Sequence, residues 1–186
     1  MRKSNIAAVT LALAVGYFVA GTFTAIADDG NGPVVRVLDD CLPGDPGWNP
    51  TGGCTLNPTQ GDVPFAEFGA LLTAPTLATN VSPAGVTLIG HPSWRNEPSH
   101  MTVQQGKELH VVNDGGRGHT FTEVANFGGG FVGQLNIGLR PAPECTPATT
   151  VPLPPGGRQS IDGLAPGLHK FMCCIHPWMR ATVRVE

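Results

Sequence analysis

The sequence predicts an all-β fold, an antiparallel sandwich or barrel of short strands. Three observations predict it. Short runs rich in Val, Ile and Thr recur along the chain, they are separated by turn chemistry, and few stretches hold a helical period. With 25 glycines and 18 prolines in 186 residues, the chain is punctuated too often for long helices. No internal repeat is present.

The chain opens on Arg2 and Lys3, then runs without charge over residues 6–27 to Ala25-Ile26-Ala27, just before Asp28-Asp29. A basic start, an apolar middle and an A-x-A end describe a secretory signal, cleaved after Ala27. Residues 1–27 are therefore read as a signal peptide, and the destination as periplasmic or extracellular. Left uncleaved, the same stretch is long enough to span a bilayer, which is the one route to a membrane this sequence offers. Gly16, Gly21 and three threonines weaken it as a permanent span.

Residues 28–85 read as a loop-rich N-terminal extension. A strand is expected at 34–38. A short helix is expected at 64–72, where Phe65, Phe68, Leu71 and Leu72 fall on one face. Between them Gly44, Pro46, Gly47, Pro50, Gly52 and Gly53 form a loop. The sequence leaves open whether this segment packs on the main domain or tethers it. From residue 86 to 186 the pattern tightens into strands at 86–89, 99–103, 108–113, 120–124, 159–161, 169–173 and 181–185. The turns Gln105-Gly106-Lys107 and Asn113-Asp-Gly-Gly-Arg-Gly118 lie between them. Residues 126–158, with Gly128-Gly129-Gly130, six prolines and Cys145, read as an insertion or long loop. The glycine triplet is not a phosphate loop, because no Gly-Lys-Ser/Thr follows it.

A formal charge of −3, with no basic run and no basic–aromatic stripe, excludes nucleic acid as a partner. Export would put the five cysteines in a compartment that permits disulfides. Five is odd, so one thiol is left over. If Cys173 binds a metal, the other four can form two bridges; of the three connectivities we expect Cys41–Cys54 and Cys145–Cys174.

The chemistry concentrates in Phe171-Met-Cys-Cys-Ile-His-Pro-Trp-Met179, which from Cys173 reads C-x-x-H-x-x-M. Side chains alternate along a strand, so Phe171 and Cys173 share one face while Lys170 and Cys174 share the other. Lys170 belongs in water, which turns Cys173 inward and leaves Cys174 free for a bridge. Pro177 stiffens the loop that follows, and Ala181, Val183 and Val185 alternate with polar residues as a second half-buried strand. One more nitrogen must come from elsewhere. His119, at the end of a Gly-rich turn, is the candidate; His110 and His100 are the alternatives. His91 and His169 read as ordinary strand or turn residues, and Met101 and Met172 as packing. Two imidazoles, one thiolate and a weak thioether form the ligand set of a blue-copper electron-transfer site. Zinc sites have little use for a thioether.

At these residues the chain resembles the cupredoxins, the plastocyanin/azurin family of small blue-copper proteins. Val112-Asn113 with Gly118-His119-Thr120-Phe121 looks like the family's first-ligand strand. Cys173-x-x-His176-Pro177-x-Met179 resembles the short ligand loop of the amicyanin group. The resemblance covers about residues 91–186 and departs from the family in the 126–158 insertion, the long spacing from His119 to Cys173, and Cys174. It implies a Greek-key β-sandwich with an N-terminal extension and a long loop insertion. It makes His119, Cys173 and His176 equatorial ligands and Met179 the axial ligand of one type 1 copper ion. It places the Thr120 N–H near the Cys173 sulfur. It also implies an exposed His176 edge and a transient redox protein docking near His176, Pro177 and Trp178.

The function expected is therefore an exported single-electron carrier, with copper acquisition, storage or delivery as the alternative. No enzyme is expected. A trinuclear oxidase centre needs His-x-His and His-Cys-His clusters, and neither occurs. Adjacent Cys173 and Cys174 cannot both face a binuclear pair, and no G-x-S-x-G nucleophile element is present.

Overall fold

A computed structural model describes residues 32–56, 60–73, 80–82, 85–87, 90–136 and 139–186. The signal expected at 1–27 lies outside the described residues, as do residues 88–89 of the strand expected at 86–89. In chain order the strands are β1 (Val34–Leu38), β2 (Asn80–Ser82), β3 (Gly85–Thr87), β4 (Arg95–Glu97), β5 (His100–Val103), β6 (Leu109–Asn113), β7 (Thr122–Val124), β8 (Arg158–Ile161), β9 (Gly167–Met172) and β10 (Arg180–Val185). One α-helix, α1, spans Phe65–Thr73. Among the described residues no helix is long and apolar enough to cross a membrane.

The strands form two four-stranded sheets, β4-β1-β6-β8 and β5-β10-β9-β7, with β2 and β3 paired as a small separate hairpin. Each sheet draws strands from distant parts of the chain, because from β4 to β9 each strand enters the sheet opposite the one before it, while β9 and β10 stay together as an antiparallel pair. This is the Greek-key sandwich that the resemblance implies. An antiparallel fold was expected, and the sheets are mixed: β1 runs parallel to β6, and β10 parallel to β5. Crossing between sheets, rather than turning back within one, is what allows those parallel neighbours.

Strand β1 belongs to the sandwich. It sits between β4 and β6, with Val35 facing Val111 and Val37 facing Asn113. Its side chains alternate as the pleat requires, Val35 and Val37 fully buried and Arg36 exposed. The segment left open by the sequence thus packs into the sheet, at least over 34–38. Strand β4 has no apolar period in its sequence. Arg95 and Glu97 are exposed and only Asn96 is buried, as suits a short charged edge strand.

The core lies between the sheets. Val35, Val37, Leu109, Val111, Phe121, Phe171, Ala181, Val183 and Val185 meet there, and the Phe121 and Phe171 rings stack at 4.7 Å. Each Val, Leu and Phe side chain among them contributes roughly 1.5–3 kcal/mol by leaving water. A second, smaller cluster lies on the other face of β9. It joins Met172 and Cys174 to Val124, Ala142 and Cys145, with Phe127 and Phe131 against it. Most of these residues come from the 126–158 segment, which therefore covers the outside of the ligand strand. Both expected disulfides are present, Cys41–Cys54 and Cys145–Cys174, and Cys173 is the free cysteine.

Candidate metal centre

The ligand loop is braced from within. After β9 the Cys173 N–H donates to the Met179 carbonyl at 3.0 Å, and the Met179 N–H donates to the His176 carbonyl at 2.9 Å. The His176 N–H points at the Cys173 sulfur at 3.4 Å, and Arg180 Nε holds the Pro177 carbonyl at 3.0 Å. Alternation sets the two cysteines apart as expected. Cys173 lies in the core between the sheets, and Cys174 lies in the outer cluster, bonded to Cys145.

His119 reaches the same point from the opposite sheet. The turn after β6 is held by the buried Asn113, whose Nδ2 donates to the Arg117 and Leu153 carbonyls at 2.7 and 2.8 Å. Asn113 Oδ1 accepts the Gly115 N–H at 2.9 Å. His119 then exchanges both backbone hydrogen bonds with Leu153, at 3.0 and 2.9 Å. The imidazole that emerges is 1% exposed.

His119, Cys173 and His176 converge, with one donor atom from each lying within 4.8 Å of the others. Both Nδ1 atoms face the thiol: His119 Nδ1 is 3.8 Å and His176 Nδ1 3.7 Å from Cys173 Sγ. First-row metal bonds of about 2.0 Å to imidazole nitrogen and about 2.3 Å to thiolate sulfur set such donors roughly 3.7 Å apart in a trigonal arrangement. The residues present therefore fit a small N₂S site, and the cluster is suited to one type 1 copper ion. Met179 is buried at 1% in the same core cluster as Cys173. His110 and His100 are elsewhere: His110 is half-buried and bonded to Ser160, and His100 is exposed and bonded to Ser99.

The architecture is a sandwich of two four-stranded sheets. No protein-family model matches the chain, and no curated protein sequence matches it. Among solved structures, a purple cupredoxin from Nitrosopumilus maritimus overlaps 52% of this chain and 86% of its own, at 18% identity and a TM-score of 0.36. Plastocyanin from Dryopteris crassirhizoma overlaps 52% and 91%, at 20% identity and a TM-score of 0.36. An oxidised amicyanin variant overlaps 50% and 73%, at 20% identity and a TM-score of 0.35. These overlaps are partial, and the functional reading rests on the side chains of the site.

The electrostatics favour a thiolate. Burial raises the Cys173 pKa, but the hydrogen bonds to His119 and His176 outweigh it and hold the thiol well below its ordinary value. Backbone donors add to this, since the Thr120 N–H also points at the sulfur, at 3.4 Å. Thr120 braces the strand a second way, its hydroxyl accepting the Cys174 N–H at 2.8 Å. The two imidazoles differ. Burial disfavours charge on His119, yet Asp39 and then Cys173 raise its pKa to about 9. Burial dominates at His176 and lowers its pKa.

The exposed His176 edge implied by the resemblance is not what the structure has. His176 is 6% exposed, because three rings enclose it: Trp178 at 5.6 Å, Phe68 of α1 at 6.2 Å and Trp94 at 6.4 Å between centroids. Pro177 is also buried, while Trp178 is partly open to solvent. Sequence reasoning did not find Phe68, Trp94 or the buried Asp39 as members of the site. Phe68 carried a helical period and nothing more. Asp39 carried no signal at all, since its partner His119 is 80 residues away.

Proposed function

We propose that the chain is an exported blue-copper electron carrier, which takes one electron from a reduced protein partner and gives one to an oxidised partner. The observation that carries the reading is the buried convergence of one free thiol and two Nδ1 atoms at 3.7–3.8 Å. Bound copper supplies one-electron exchange between Cu(II) and Cu(I). In this reading His119, Cys173 and His176 would hold the ion, with Met179 as a weak thioether donor. The chain's own part is to keep the donors still. The loop bonds, the Asn113 turn and the two sheets fix them, so little motion need accompany the transfer. Aromatic rings around His176 exclude water.

Export is supported by the two disulfides, which persist in oxidising compartments, together with the leader-like start of the sequence. The partner docks near His176, Pro177 and Trp178, and Trp178 makes the contact because it is the most open of the three. A weak, small interface of this kind suits rapid exchange. Delivery of copper as cargo is the less favoured reading. Met172 faces the outer cluster and Met179 the core, so the methionines do not gather into a transfer surface.

The test is to load purified protein with Cu(II) and record the visible spectrum. An intense thiolate-to-copper band that bleaches on one-electron reduction and returns on oxidation is expected. A colourless loaded protein refutes the assignment, and a blue protein that gives up its copper instead of cycling favours delivery. Trp178→Ala should slow transfer to the native partner without changing the spectrum.

A further inference from the structure

Asp39 is a carboxylate buried to 2% exposure directly behind the metal centre. It follows β1, and four N–H groups converge on it. Oδ2 accepts His119 Nε2–H at 2.8 Å and the Arg117 backbone N–H at 3.0 Å. Oδ1 accepts the Gly116 N–H at 3.1 Å and, at a longer 3.4 Å, the Cys41 N–H. An ionised carboxylate offers acceptors only, so it satisfies all four. The turn can close this tightly because residues 115 and 116 are glycines. A Cβ on Gly115 would strike Asp39 Oδ2, and one on Gly116 would lie 2.6 Å from Cys41 Sγ and 2.9 Å from Cys54 Sγ. The Cys41–Cys54 disulfide thus backs the turn that holds the carboxylate.

Two consequences follow for His119. A hydrogen bond from Nε2 to Asp39 puts the ring proton on Nε2 and leaves the Nδ1 lone pair facing Cys173. A negative charge one imidazole away from the ion also favours whichever state of the site carries more positive charge. His176 has no matching carboxylate among the described residues; its neighbours are Trp178, Phe68, Trp94 and His119. The nearby Arg117 guanidinium turns away, to the Gly53 and Thr51 carbonyls and the face of Trp48. It makes no hydrogen bond to either Asp39 oxygen and attracts that charge only through space.

We propose that Asp39 is the positioning residue of the metal centre, fixing the His119 tautomer for copper and biasing the site toward Cu(II) through its buried charge. The inference rests on the blue-copper reading and adds a residue and a direction to it. An amide is a poor substitute. Whichever way Asn is turned, its NH₂ faces two of the four N–H groups, and the negative charge is gone.

The experiment compares the copper-loaded wild type, Asp39→Asn and Asp45→Asn. Asp45 controls for loss of a carboxylate, since its bonds go to the Gly47 and Phe65 N–H groups. In Asp39→Asn, Cu(II) affinity should fall about 10–100-fold, the range for outer hydrogen-bond partners of metal ligands. Cu(I) affinity should change less. A tenfold differential raises the reduction potential by about 59 mV for one electron, and Asp45→Asn should leave the potential unmoved. A second readout uses the wild type alone and survives misfolding of the variant. In Cu(I)-loaded protein, nitrogen-detected NMR should find the His119 Nε2 proton shifted downfield by its bond to the Asp39 carboxylate and protected from exchange. A blue wild type with an unmoved Asp39→Asn potential, or with a His119 Nε2 proton that is neither shifted nor protected, overturns this inference and leaves the blue-copper reading intact. A wild type that stays colourless overturns both.

Discussion

Cys173, His176 and Met179 lie within one short loop and hold one another through backbone hydrogen bonds made inside it. His119 meets them only because Asp39, Asn113 and Leu153 place it there, from β1, from β6 and from the long 126–158 segment. One side of the centre is local and self-supporting; the other is assembled from three remote pieces. A change in the loop should therefore remove the site, while a change in the buttress should cost stability or shift its properties and leave the site standing.

The sharpest break of that contrast is Cys173→Ser, which should abolish the thiolate-to-copper band, whereas Cys174→Ser should keep the colour. The reverse pattern in the visible spectrum would exchange the roles of the two cysteines. Next in size is removal of the Cys41–Cys54 bridge by paired Ser substitutions. With a sequence separation of 13, the loss should be about 3 kcal/mol in denaturant unfolding, and the copper-loaded protein should remain blue. If colour vanished while the fold persisted, the buttress would be as indispensable as the loop.

Asn113→Ala should cost about 2 kcal/mol, because it removes the buried amide's three hydrogen bonds, to the Arg117 and Leu153 carbonyls and from the Gly115 N–H. Its spectrum should shift modestly, measured against Cys173→Ser as the full loss. The smallest effect is a pH dependence of the metal-free protein. With a folded pKa of about 9 against an ordinary 6.5, charged His119 stabilises the fold fully below pH 6.5. That contribution is lost as pH rises through about 9. His176, whose pKa is lowered by burial, should titrate first in an NMR titration. His119 losing its proton before His176 would contradict the asymmetry between the two sides.

The same contrast explains what the sequence made legible. Strand β1, the pair β9 and β10, and the choice of Cys173 over Cys174 followed from alternation, because the pleat repeats every two residues and needs no distant partner. That four cysteines form two bridges followed from the odd fifth, while their pairing was a choice among three connectivities. Strand β4 was not legible, since Arg95-Asn-Glu97 has neither β-branched residues nor an apolar face. The parallel pairings of β1 with β6 and β5 with β10 were not legible either, because pairing across the sandwich depends on which sheet each strand enters. His176 was expected at the surface from the resemblance, and of the rings that bury it only Trp178 is local; the others come from α1 and from Trp94.

By itself the sequence determined the all-β class, the inward thiol and the donors of the ligand loop, since each depends on neighbours a few residues away. Only the tertiary structure decided which histidine completes the cluster, that His176 is enclosed, and that a buried carboxylate stands behind His119. Those facts depend on groups brought together across the sandwich. A hydrogen bond between residues 39 and 119 leaves no periodic trace in the chain that makes it.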